Sequence, residues 1–111
     1  MIEKIVLNYL KSKLAVPVEM EEPATKPESY VVIQKTGSSR VNYIFSATIA
    51  VQSYGKSLYK AAELNEAVKD AMLNIIEVNE VTSCRLNSDY NFTDSQTKRY
   101  RYQAVFELTH Y

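Results

Sequence analysis

One histidine, one cysteine and two glycines are the whole supply of the residues on which most catalytic and nucleotide-binding sites depend. His110 could act as a general base or metal ligand. With no second histidine and no cysteine cluster, metal-ligand spacing is absent, and it reads as a strand-end residue. Ser88 precedes Asp89, but there is no G-x-S-x-G elbow and no base placed to activate a serine. Asp89 and Glu107 could form a carboxylate pair on adjacent strands. Acid–base work would require one of them to be desolvated, and strand alternation places them toward the polar side. Gly37 and Gly55 cannot build a phosphate-cradling loop. Cys84 stands alone, so neither an intrachain disulfide nor a cysteine zinc site is expected, which suits a reducing compartment. The expectation is no catalytic residue, no cofactor, no metal and no enzyme activity.

One cluster could bind rather than react. Lys98-Arg99-Tyr100-Arg101-Tyr102 interleaves base and aromatic, the pattern for phosphate contact with base stacking. In a strand, however, Arg99 and Arg101 share one face and Tyr100 and Tyr102 the other, so it divides into a solvent side and a core side. A lone patch on a chain of zero net charge binds nucleic acid weakly. The arginines could instead pair with carboxylates of a neighbouring subunit.

The elements that would position these residues follow from periodicity. Ile2, Ile5, Val6, Tyr9, Leu10 and Leu14 recur at helical spacing, predicting a helix over 2–14. Val16–Met20 reads as a short edge strand and EEPATKPES (21–29) as a surface loop. Tyr30–Thr36 reads as a strand, Gly37-Ser38-Ser39 as the turn, and Arg40–Ser53 as the returning strand, with Phe45, Ala47, Ile49 and Val51 on one face. A strand of about 13 residues spans about 43 Å, more than a small core can cover. Part of this hairpin must project or pair with another subunit. Ser57 is a helix N-cap. The helix after it, about 19 residues long, carries Leu58, Ala61, Val68, Met72 and Ile75 as its main apolar stripe, with Leu64, Ala67 and Ala71 beside it. Asn65 within that stripe reads as a half-exposed amide; the sharper alternative is a polar contact that fixes register. Val81–Phe92 alternates with Cys84, Leu86, Tyr90 and Phe92 on one side and Asn87, Asp89 and Asn91 opposite. Thr93–Thr97 turns into a last strand whose inner face is Tyr100, Tyr102, Ala104, Phe106 and Leu108. Asn91-Phe92-Thr93 matches a glycosylation acceptor only by chance. The order implies an α/β (α+β) fold, one mixed and mostly antiparallel sheet with long hairpins, packed against an N-terminal helix and one long central helix.

At 111 residues the chain is expected to form one domain, 1–111. Zero net charge permits close self-association. Met1 is followed by an amphipathic pattern rather than a secretory signal, and no apolar run approaches the ~20 residues of a membrane span.

The runs PESYVVIQKTGSSR, SATIAVQSYGKSLYKAAELNEAVKDAM and LNSDYNFTDSQTKRYRYQAVFELTHY together resemble small proteins encoded among bacteriophage head–tail genes. The likeness covers nearly the whole chain and is strongest to the tail terminator (tail completion, neck) family of long-tailed phages and prophages. Sister families of the same gene cluster, the head-connector stopper and adaptor and the tail tube protein, are the alternatives, as is a small nucleic-acid- or protein-binding module. The resemblance implies a homo-oligomeric ring, commonly a hexamer, assembled in the host cytoplasm and carried in the virion neck. Such a ring caps the tail tube, ends its polymerisation and meets the head-completion connector, while DNA passes through its lumen without sequence-specific binding. It implies no membrane partner and no catalytic or cofactor residue to carry over.

A closed ring needs two unlike patches per subunit. The projecting hairpin, with Gln34, Thr36, Arg40, Asn42 and Ile44, is one candidate seam, and the helix flank of Leu64, Ala67 and Ala71 is the other. The acidic loop (Glu21, Glu22) and the hairpin tip carrying Lys98, Arg99 and Arg101 are the candidates to face axial partners.

Overall fold

The computed structural model describes residues 1–97 and 99–111. Helix α1 (Ile2–Lys13) is followed by β1 (Val18–Glu19), β2 (Tyr30–Val41), β3 (Ile44–Gly55), helix α2 (Leu58–Leu73), a short 3-10 turn (Ile75–Glu77), β4 (Val81–Asn91) and β5 (Tyr100–His110). The strands form one mixed sheet in the order β1-β2-β3-β5-β4, antiparallel except where β1 runs parallel to β2. Both β3 and β4 run antiparallel to β5, so they point the same way, and α2 links them while β5 fills the gap between. The fold is the α+β arrangement that the periodicities predict.

Both helices lie on one face of the sheet. Val6 and Leu10 of α1 and Val68 and Met72 of α2 are fully buried against Val31, Ile33, Ile49, Val51, Phe106 and Leu108. Each such side chain contributes about 1.5–3 kcal/mol by leaving water. The Tyr9 hydroxyl donates to the Ala71 carbonyl at 2.7 Å, tying α1 to α2. Ser57 caps α2, its Oγ accepting from the Lys60 amide at 3.1 Å, as its position predicts. Helix α2 ends at Leu73, shorter than expected, and Ile75 reaches the core from the 3-10 turn instead. Gly55 permits the close entry of α2: a Cβ there would lie 2.5 Å from the Ala61 amide nitrogen.

Two expectations about the strands are overturned. The first is the hairpin turn, which is not at Gly37-Ser38-Ser39. β2 continues to Val41, and the turn is Asn42-Tyr43, both with positive φ (52° and 69°). Two consecutive left-handed residues match the twist of the flanking strands, as in type I′ hairpins. Gly37 has no positive φ. It follows a bulge, between Lys35 and Gly37, that leaves Thr36 unpaired.

The second concerns β4. A register shift between Leu86 and Ser88 adds Asn87 and reverses the alternation beyond it. Cys84 and Leu86 face the helices as predicted, but Asp89 then turns toward α2, while Tyr90 and Phe92 move to the open face. Asp89 and Glu107 therefore lie on opposite faces and form no carboxylate pair. Glu107 instead accepts from Arg85 at 2.7 Å, which, with Asn87, holds its carboxyl below the usual carboxylate range.

Candidate functional site

Three places on the molecule concentrate side chains that the core does not need. The first is the distal half of the β2–β3 hairpin. From Gln34 to Phe45 every residue is exposed, because the helices stop short of this end of the sheet. Gln34, Thr36, Arg40, Asn42 and Ile44 all lie here, as nominated. Tyr43, inside the projecting hairpin but not singled out by the sequence, is the most exposed of the large apolar side chains at 85 %, beside Val41 at 67 %. The Arg40 guanidinium sits 6.0 Å from the Tyr43 ring centre and 5.8 Å from that of Phe45, covering part of the apolar tip. A tyrosine at positive φ is locally unfavourable, where glycine would be relaxed. The available signal was Asn42, the non-glycine type that best tolerates that region.

The second is a groove of about 480 Å³ at the opposite end, where β2 begins and β3 ends. Leu14, Val16, Leu64 and Ala67 form its apolar wall, with Lys60 and Glu63 on the rim. Leu64 and Ala67 thus share one surface, as the helix flank predicts. Ala71 does not join them. It packs partly buried against the core, beside the bond from Tyr9 to its carbonyl.

The third is the cluster around Arg99 and Arg101 on the open sheet face. Tyr30 and Tyr54, register partners on β2 and β3, stack at 4.4 Å between ring centres. Arg99 and Arg101 approach the same Tyr54 ring, at 5.1 and 5.6 Å, and Arg101 also lies 4.3 Å from the Phe92 ring. Arg101 donates to the Tyr54 hydroxyl at 2.8 Å and to the Phe92 carbonyl at 2.7 Å. Burial, and then the like charge of Arg101, lower the pKa of Arg99, so an anionic partner is favoured. That partner is Glu22. Its Oε1 pairs with Arg99 and accepts from the Tyr30 hydroxyl at 3.3 Å, and Arg99 also donates to that hydroxyl. The two nominated axial regions, the acidic loop and the β4–β5 tip, are therefore joined within one chain. Glu21 is exposed alongside; Lys98 lies outside the described residues.

From Tyr54 a neutral chain of hydrogen bonds crosses the open face. Tyr54 donates to Gln52 at 3.2 Å, Gln52 to Gln103 at 2.9 Å, and Gln103 to Tyr90 at 2.6 Å.

Asn65 overturns its half-exposed reading. It is 1 % exposed and donates to Asp89 at 3.0 Å, and Lys69 reaches the same carboxylate oxygen at 2.9 Å. Hydrogen bonds from Lys69 to Glu66 and Asp89 raise the lysine pKa. It joins α2 to β4, a polar contact of the kind that can fix register, and the signal for it was an amide inside an apolar stripe. His110 stacks on Phe45 at 5.5 Å and ends its strand. Burial pushes the Cys84 thiol up to about 11, which leaves it unreactive at neutral pH. Asn91 accepts from the Thr93 amide and hydroxyl, a local turn contact. Among the described residues no group of three or more His, Cys, Asp and Glu could hold a metal ion, and no helix is long and apolar enough to cross a membrane.

In comparison with known proteins, no family model matches the chain and no curated protein matches it.

Proposed function

We propose that this chain is a structural virion protein without catalytic activity or cofactor: a tail terminator whose copies close into a ring, commonly six, at the virion neck. The ring caps the tail tube, ends its polymerisation and presents its other face to the head-completion connector, with DNA passing through the lumen. The observation that carries this reading is the pair of unlike apolar surfaces at opposite ends of β2 and β3: the tip at Val41, Tyr43 and Ile44, and the groove at Leu14, Val16, Leu64 and Ala67. Twelve strand residues separate them by about 40 Å. Unlike patches make heterologous contacts, which close into rings when the rotation allows. An exposed tyrosine held at positive φ supports a role for the tip outside the monomer. The zero net charge supports close packing of copies.

Native mass spectrometry over a concentration series, alone and with purified tail tubes, tests the reading. A ring from the unaltered protein is expected. Ala67→Glu, on the groove, and Tyr43→Ser, on the tip, are each expected to give folded monomers. Ala67 is the cleaner groove position, since Leu64 also packs against the core. A mixture of the two variants retains one intact seam and is expected to give dimers that grow no further. A monomer at every concentration, with and without tubes, overturns the proposal.

A further inference from the structure

We propose that the Arg99–Arg101 cluster is an oxyanion site for the phosphodiester backbone of a nucleic acid, and that Glu22 of the same chain occupies it at rest. This goes beyond the ring and does not depend on it. The geometry has three parts. First, two guanidiniums approach one tyrosine ring, and among the described residues Arg101 has no carboxylate within ion-pair distance. Second, a single oxygen, Glu22 Oε1, receives both Arg99 and the Tyr30 hydroxyl. Those two donors converge on one acceptor position, a niche that a phosphate oxygen fits as well as a carboxylate oxygen does. Burial raises the Tyr30 pKa, which keeps its hydroxyl a donor at neutral pH. Third, the niche opens onto a concavity of about 320 Å³ that also has Lys26 and Lys56 on its wall. Lys56 is held only loosely, 4.0 Å from Glu28. Displacing Glu22 would free Arg99, leaving Arg99, Lys26 and Lys56 around an opening that Glu28 also lines, with Arg101 beside it on the shared Tyr54 ring.

Glu22 is suited to displacement. It lies on the 20–29 segment, which contains Pro23 and Pro27 and forms no helix or strand. The side chains of Arg99 and Glu22 are 30 % and 39 % exposed, so their pair is partly screened by water. A pair of that kind contributes little, and a multivalent polyanion can outcompete it. With Glu22 in place Arg99 is paired and Arg101 is not, and displacement of Glu22 would leave both cations unpaired.

The test is binding of a fluorescent oligo-dT to the protein and to Glu22→Gln, over a range of sodium chloride. Glu22→Gln is expected to bind about two- to fivefold more tightly than the parent, the factor that an exposed pair supports. Its salt dependence is expected to steepen by about one phosphate contact. Glu21→Gln makes the same change in net charge one residue away and is expected to gain less than half as much. Adding Arg99→Gln to Glu22→Gln is expected to erase the gain. Equal gains from Glu21→Gln and Glu22→Gln, no gain from Glu22→Gln, or a gain that survives loss of Arg99 would each overturn the proposal. Two competitors distinguish the ligand. Inorganic phosphate is expected to displace the oligonucleotide no better than chloride at equal ionic strength; specific displacement would assign the niche to free phosphate and overturn the nucleic-acid assignment. Poly-glutamate binding Glu22→Gln more tightly than oligo-dT does would overturn it in favour of an acidic protein segment.

Discussion

The two halves of the β2–β3 hairpin share strands and pairing partners but not their surroundings. Near the helices, Tyr30–Ile33 of β2 are buried; from Gln34 onward the same strand is exposed to its end. β3 mirrors this, changing from exposed at Ile44 and Phe45 to buried at Ile49–Val51. Backbone pairing continues through both halves, with β5 beside β3 down to the Phe45–His110 pair. The difference teaches that hydrogen-bonded pairing extends the strands, whereas cover makes a stretch stability-critical: the helices on one face, and Arg99, Arg101 and Glu22 over Tyr30 and Tyr54 on the other. The net gain per backbone hydrogen bond is about 1 kcal/mol, while each fully buried large apolar side chain contributes more. The uncovered half is therefore free to carry residues chosen for contact.

This contrast breaks most clearly on substitution. Phe106→Ala, in the helix-covered core, is expected to cost about 3–5 kcal/mol of unfolding free energy. Phe45→Ala, at the exposed end, is expected to cost under about 1 kcal/mol. Urea unfolding midpoints decide it, and similar losses would mean that the projecting half is as much part of the core as the covered half. Asp89→Ala probes the covered side differently. It leaves buried Asn65 and nearly buried Lys69 without their shared acceptor, and about 1–3 kcal/mol is expected to be lost, with part recovered in Asp89→Asn.

At the tip the sign reverses. Tyr43→Gly relaxes the positive φ and is expected to raise stability by up to about 1 kcal/mol while weakening self-association. A gain in melting temperature together with loss of the proposed ring would separate the two halves into one region for stability and one for assembly. A fall in stability would show the tyrosine supporting the monomer.

The smallest effect sharpens the comparison on the open face. The Glu107 carboxyl is held below its ordinary pKa, mainly by Arg85. A depressed acid contributes stability that is present above its unfolded pKa, about 4.3, and is lost as pH falls through the lower folded value. Arg85→Gln is expected to lower stability slightly above about pH 5, where the pair is intact, and to converge on the parent at lower pH, which flattens the acid limb. An unchanged acid limb would remove the pair from the account.

Much of this molecule is legible in its sequence because the relevant forces are local. Helical spacing from Ile2 to Leu10, alternation from Ala47 to Val51, and the Ser57 cap depend on residues within a turn or two of one another, and all appear where periodicity and capping chemistry place them. The residue supply that lacks a second histidine or a glycine-rich loop is likewise set by composition alone.

The tertiary structure decided what depends on partners distant along the chain. One unpaired residue at Asn87 reversed the faces of Asp89 and Tyr90, because strand alternation has a period of two and any insertion inverts everything beyond it; whether β4 bulges is set by β5 and α2, not by β4. The turn fell at Asn42-Tyr43 rather than Gly37 because pairing continued past the flexible residues, and glycine permits a turn without requiring one. Glu22 met Arg99 across 76 intervening positions only because β2 and β5 both lie beside β3, which placed Tyr30 and Arg99 against the same Tyr54 ring.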